Sequence, residues 1–205
     1  PFVTGIGSSF DRVSTWSNIM DVLIFRGLPG AGKSTIANDV CNGNVIEADE
    51  YFYEEVEPHK PNKYSFTPEK LDKAHNQCYR KFIMMLKKLV QGNIEPPIGV
   101  ANTNVERGEY TPYIKAANNI QNIMMILSEG ELNMQRWELD IKLVKIFAQV
   151  DTCVERQKTR ERENNPPPEA IEDMSERWES RKPHDPPELV LNNDQTGEEP
   201  EVMTR

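Results

Sequence analysis

Val22-Leu23-Ile24-Phe25 is an unbroken apolar run that ends in a glycine-rich turn. A run of this kind fits a strand buried on both faces, as in a parallel sheet. A helix is expected over 32–41, then a second strand at Val45-Ile46 within 44–49. Thr67-Pro68 has the cap and first-turn residues of a helix start. Leu71, Ala74, Cys78, Phe82, Met85 and Leu89 then recur at helical steps along one face, and Gly92 ends the segment. A third strand is expected over 98–101, a helix over 113–119 and a fourth strand over 143–150. A helix opening at Asp151 should stop before Asn164-Asn165-Pro166-Pro167-Pro168, and a last helix is expected over 169–181. Alternating buried strands and helices predict a three-layer α/β domain around a parallel central sheet. Ile123 to Leu127 reads as a strand, with Ser128 to Trp137 as an excursion, which makes an insert near 121–140. The domain is expected over 21–182. Residues 1–20 read as a leader, with Met20 as a candidate natural start.

Composition adjusts this picture in a few places. The 205 residues suit one domain. No run approaches the length of a membrane-spanning helix. Three cysteines (Cys41, Cys78, Cys153) at helix positions, without a Cys-x-x-Cys pair, argue against a disulfide framework or zinc site and for a reducing cytoplasm. His59, His75 and His184 lack metal-ligand spacing. The net charge of −9 argues against indiscriminate coating of nucleic acid. From Pro183 onward, six acids (Asp185, Glu188, Asp194, Glu198, Glu199, Glu201) face Arg205 alone, and this Pro-rich stretch reads as a disordered tail over 183–205. Lys60 to Lys88 carries eight bases against Glu69 and Asp72. That helix either guides an anionic substrate or is a solvated face.

Gly27-Leu28-Pro29-Gly30-Ala31-Gly32-Lys33-Ser34-Thr35 fits G-x-x-x-x-G-K-[ST], with a strand before it and a helix after it. Gly27, Gly30 and Gly32 let the backbone curl so that its N–H groups face phosphate oxygens. The following helix adds its positive end. Lys33 reaches the β and γ oxygens, and the Ser34 hydroxyl suits Mg²⁺, a hard ion that prefers oxygen. The expected ligands are ATP and Mg²⁺.

The destination of the phosphoryl group is read from the remaining residues. No Asn-Lys-x-Asp reads a guanine, and the third strand ends Gly99-Val100-Ala101-Asn102 without a water-activating acid. An acid stands instead at the end of the second strand, at Asp49, with Glu50 as its competitor. Carboxyl ends of strands line the ligand crevice of an open α/β sheet. A carboxylate there can take the proton of an attacking hydroxyl, the base role of phosphoryl transfer. Arg156 and Arg160, four apart on one helix, and Arg162 can neutralise charge on the transferred group, or they belong to a surface helix paired with Glu155, Glu161 and Glu163.

Taken together, these residues resemble the small P-loop kinases related to phage polynucleotide kinase. The resemblance rests on 23–35, on Glu47-Ala48-Asp49-Glu50-Tyr51-Phe52, on Ala74-His75 and on Ala101-Asn102-Thr103-Asn104 with Glu109 and Pro112-Tyr113. It also rests on Arg156 through Pro167 to Met174 and Arg177, so it covers about 22–182 apart from the insert. It implies that Asp49 is the general base. Lys33 and Ser34 would hold ATP and Mg²⁺. Asn104, with Asn102 and Thr103, would orient acceptor or phosphate. Arg160, with Arg156, would belong to an arginine-bearing helical lid. The chain departs from the pattern at Ala101-Asn102, where many relatives carry Asp, and at Phe52, where phage polynucleotide kinase has Arg.

Three functions follow as expectations. The first is a kinase acting on a nucleic-acid hydroxyl, either a 5′ end or a hydroxymethylated base, supported by the basic helix and by Tyr51, Phe52 and Tyr53 as stacking surfaces. The second is a kinase for a small metabolite or nucleotide. The third is a nucleotide-binding interaction module without catalysis.

Overall fold

The computed structural model describes residues 18–54, 63–129, 137–160, 165–194 and 201–203. Its centre is β1 (Asn18–Arg26), whose side chains alternate between two cores. Val22 and Ile24 point into one, Leu23 and Phe25 into the other. That is why the run carries no polar position. β2 (Val45–Ile46), β5 (Ile98–Val100), β6 (Trp137–Phe147) and β7 (Glu188–Asn192) join β1 in a parallel sheet ordered β2-β5-β1-β6-β7. β8 (Glu201–Met203) closes the edge antiparallel to β7. A separate ribbon pairs β3 (Tyr53–Glu54) with β4 (Lys63–Tyr64).

Two helices cover one face. α2 (Leu71–Val90) buries Ala74, Cys78, Phe82, Leu86 and Leu89. α3 (Arg107–Glu129) buries Tyr110, Tyr113, Ala116 and Ala117. The other face carries α1 (Lys33–Val40), α4 (Val150–Lys158) and α5 (Pro168–Glu176), through Ile36, Cys153 and Ile171. The expected three-layer α/β fold is therefore present. Cys41, Cys78 and Cys153 are free thiols in the cores. Among the described residues no helix is long and apolar enough to cross a membrane.

Several expectations are corrected. Ile123 to Leu127 is helix, because α3 runs on to Glu129, and β6 already starts at Trp137. Within the expected insert, only 130–136 lies outside the described residues. β1 begins at Asn18, and Met20 is buried within it, so a boundary at residue 20 cuts through a strand. Leu71 is 41% exposed, and Leu86 replaces it in the buried stripe. Part of the expected disordered tail is ordered. Asp185 accepts from Arg107 (Nε 3.0 Å, Nη2 2.8 Å), from Tyr110 Oη (3.1 Å) and from the Lys182 N–H (2.7 Å). Those donors hold its carboxyl well below the usual carboxylate range, the Arg107 hydrogen bonds most of all. β7 then lays Leu191 into the core beside β6. The apolar triplet Leu189-Val190-Leu191 was the signal, masked by the acids and prolines around it.

The end of β1 is locked by a buried cation. Arg26 is fully buried. Its Nε donates to the Asn104 carbonyl (2.9 Å), Nη1 to Glu188 Oε1 (2.7 Å), and Nη2 to the Glu179 (2.6 Å) and Val105 (3.3 Å) carbonyls. The guanidinium lies 4.6 Å from the ring centres of both Tyr110 and Trp178. One side chain thus ties together four stretches distant in sequence.

Candidate active site

A turn follows the carboxyl end of each inner strand, where ligands collect in open α/β sheets. After β1 comes the loop 27–32. After β2 a 3₁₀ turn, Ala48–Phe52, carries Asp49. After β5 come Ala101, Asn102 and Thr103, and the Gly27 N–H donates to the Thr103 carbonyl at 2.9 Å. A cleft of about 680 Å³ opens among them.

The glycines of the loop are required by space. Gly30 (φ 88°) and Gly32 (φ 93°) are left-handed, a conformation costly for other residues. A Cβ at Gly30 would collide with the Cys153 carbonyl, and one at Gly32 with the Asn193 amide. Lys33 lies buried, and its Nζ donates to the Leu28 carbonyl at 2.9 Å. Burial pushes its ammonium down to about 8, against the opposing pull of the Glu47 and Asp49 charges. Ser34 Oγ donates to Glu47 Oε2 at 2.9 Å. Burial raises the Glu47 carboxyl above its usual range, and the Asp49 charge adds to this, while the Ser34 hydrogen bond opposes it.

Pro29, Gly30, Gly32, Lys33, Ser34, Asp49 and Arg160 all line the cleft. Gly27, Ala31 and Thr35 do not: Ala31 is fully buried beneath the loop, and Thr35 is exposed on α1. Asn104 does not line it either. It is buried with φ 50°, and its Nδ2 donates to the Phe25 carbonyl at 2.8 Å, so it braces the end of β1 rather than a ligand. Arg156, one turn before Arg160, also stays out of the cleft, with a buried Nη1. Arg162, Glu161, Glu163 and His59 lie outside the described residues.

Asn102 does reach the cleft. Its Oδ1 accepts the Ala48 N–H at 2.8 Å and its Nδ2 donates to Tyr113 Oη at 3.1 Å. It therefore holds the backbone next to Asp49. Phe52 is core, 5.0 Å ring to ring from Phe66, and is not a stacking surface. The aromatic ring that lines the cleft is Phe66.

Sequence reasoning missed Glu47 as the partner of Ser34, and Phe66, Leu71 and Gln157 as lining residues. His75 also lines the cleft, from α2. Glu109 and Arg177 line it too, and Arg177 is ion-paired with Glu106. Helices and loops brought together only by folding supply these groups, so no spacing announces them. Among the described residues no cluster of three or more His, Cys, Asp and Glu could cage a metal by protein alone. Mg²⁺ is commonly held by one or two protein oxygens plus substrate phosphates, and the Ser34 and Glu47 oxygens fit that mode.

A glycine-cradled loop with its lysine and serine, set at the strand ends beside Asp49, is the geometry of a P-loop domain. The sequence profile of AAA_33, an AAA domain, matches residues 22–181. The chain belongs to the AAA_33 family of AAA domains. No curated protein matches it. Among solved structures, the AAA_33 chain is similar to a sugar kinase from Janibacter sp. HTCC2649, at 16% identity and TM-score 0.50, over 87% of each chain. That likeness shows the α/β P-loop fold. A gluconokinase from Sinorhizobium meliloti 1021 matches at 13% identity and TM-score 0.47, over 86% of this chain and 84% of that one. A deoxyadenosine kinase from M. mycoides matches at 20% identity and TM-score 0.37, over 87% and 93%.

Proposed function

We propose that this AAA_33 protein is an ATP- and Mg²⁺-dependent kinase that moves the γ-phosphoryl group to a hydroxyl of a small acceptor. The observation that carries the reading is the shared cleft of Lys33, Ser34, Asp49 and Arg160. The loop N–H groups and Lys33 hold the triphosphate. Ser34 and Glu47 would hold Mg²⁺, which would withdraw charge from the phosphate oxygens. The acceptor oxygen attacks the γ-phosphorus as its proton passes to Asp49. The bond to the bridging oxygen breaks, and ADP leaves. Arg160 balances the charge spread over the moving group.

The direction of the charge on α2 favours a small acceptor over a polymer. At 3.6 residues per turn, Lys73, Arg80 and Lys87 lie about 160–200° around the helix from Leu71, and His75 only about 40° from it. Leu71 and His75 line the cleft, so those three bases face away from it. Lys81 is engaged with Glu50 at 2.6 Å. The lining beside the Asp49 turn includes Phe66, Pro68 and Leu71, suited to an uncharged acceptor with an apolar face. A nucleic-acid hydroxyl is the second reading, favoured by the exposed basic face alone.

Labelled ATP offered to a panel of oligonucleotides, nucleosides and metabolites names the acceptor by its labelled product. Transfer to a small alcohol is expected, with an acceptor KM nearly constant between about 50 and 200 mM salt. A contact running over many phosphates would weaken by orders of magnitude over that range. Label on oligonucleotide alone would reverse the choice of acceptor. A protein that binds ATP and labels nothing would be the interaction module.

Lys33 adds a pH signature. Bound phosphates need its ammonium form, which in the free protein is lost as pH rises through about 8. Mg·ATP affinity should be level below that pH and fall by about tenfold per unit above it, until the raised value of the complex is reached. Calorimetry in buffers of different ionisation enthalpy should record proton uptake on binding at pH 9. Affinity flat to pH 10 would remove Lys33 from phosphate binding.

A further inference from the structure

Two adjacent residues beyond the matched span contact the phosphate loop and the start of α4. Asn193 Nδ2 donates to the Ala31 carbonyl at 2.7 Å, and its own N–H donates to the Phe147 carbonyl at 2.7 Å. The next residue, Asp194, accepts at Oδ1 from the Gln149 N–H and from Thr152 Oγ1, both at 2.8 Å. Gln149 caps α4 without any side-chain bond of its own, so Asp194 supplies the cap from the far end of the chain. α4 leads to Gln157 and Arg160 in the cleft.

The amide contact has a directional consequence. The peptide unit between Ala31 and Gly32 is planar, with its C=O and N–H pointing in opposite directions. Holding the Ala31 carbonyl on the Asn193 side turns the Gly32 N–H towards the cleft that Gly32 lines. The missing Cβ of Gly32 is what lets the amide approach: a side chain there would strike Asn193 Nδ2. Ala31 O can only accept, which fixes Asn193 as the donor.

We propose that Asn193 is a positioning residue for triphosphate binding, a clasp on the phosphate loop, while Asp194 beside it caps α4. The proposal rests on the reading of loop 27–33 as the triphosphate site. An ordered loop presents its N–H groups without first losing conformational freedom. A loop released from Asn193 has to be ordered by the ligand.

The test measures binding and needs no acceptor. Asn193→Asp keeps the shape and replaces the donor with oxygens that repel the Ala31 carbonyl. Asn193→Ala is the second variant in case the first fails to fold. Mg·ATP and inorganic tripolyphosphate are titrated calorimetrically, with circular dichroism and thermal melts on each variant. Both ligands are expected to bind about tenfold more weakly to a folded Asn193 variant, equivalent to about 1.4 kcal/mol. Asp194→Ala should lose helix-cap stability and keep its triphosphate affinity. Wild-type affinity in folded Asn193 variants would overturn the clasp, as would an equal weakening in Asp194→Ala. A wild type that binds neither ligand would overturn the reading of the site itself.

Discussion

Asp49→Asn is expected to slow phosphoryl transfer by about 10²–10⁴-fold, the range spanned by general bases. Mg·ATP binding should be nearly unchanged. The amide keeps the volume of the side chain and its place on the 3₁₀ turn, where Asn102 holds the Ala48 N–H. What it loses is the capacity to take a proton from the incoming hydroxyl. One side effect has a predictable sign. The Asp49 charge helps to raise the Lys33 ammonium, so the amide lets that group fall further below about 8. Single-turnover transfer and ATP titration are therefore to be compared well below pH 8, where Lys33 stays charged in both proteins. A variant that transfers as fast as wild type removes Asp49 from the base role. Glu47 and Glu109, the other carboxylates lining the cleft, would be the next to substitute.

Arg26→Met should be the most destabilising single change, by about 3–5 kcal/mol, the usual loss when one member of a buried ion pair is removed. Glu188 would lose its partner, the carbonyls of Asn104 and Glu179 would lose the Arg26 donor, and the Val105 carbonyl would keep the Glu179 N–H at 2.9 Å. The thioether retains some packing against Tyr110 and Trp178 and restores none of the hydrogen bonds. Arg26→Lys should also be poor. A single ammonium cannot reproduce the planar fork that meets these acceptors and stacks between two rings. Urea unfolding measures both variants. A loss below about 1 kcal/mol would show that these acceptors find water or other partners once Arg26 is gone.

Most of the architecture could be read from the chain because it follows from local patterns. The two-faced burial of 22–25, the helical period of α2 and the glycine loop each depend on neighbours in sequence. The α/β alternation and the phosphate loop follow from those patterns, and Asp49 was reached from its place at the end of the second strand. The errors arose where a local signal competed with a distant partner. Ile123 to Leu127 reads as a strand on its β-branched and apolar content, but α3 carries through it. Leu189-Val190-Leu191 sits in an acidic, proline-rich stretch and gains order only by pairing with β6.

Tertiary structure alone decided the use of the polar residues. Asn102 and Asn104 stand two apart in one motif. One lines the cleft and braces the turn that carries Asp49, and the other is sealed against Phe25 by a left-handed backbone. Arg156 and Arg160 share a helix, yet only Arg160 reaches the cleft. The sequence by itself marked most of the strands and helices and the place of the phosphate loop, since backbone sterics and hydrophobic period act between near neighbours. Folding determined which carboxylates, amides and guanidiniums converge there, because a hydrogen bond is satisfied by whatever the chain brings within about 3 Å, however far away in sequence it began.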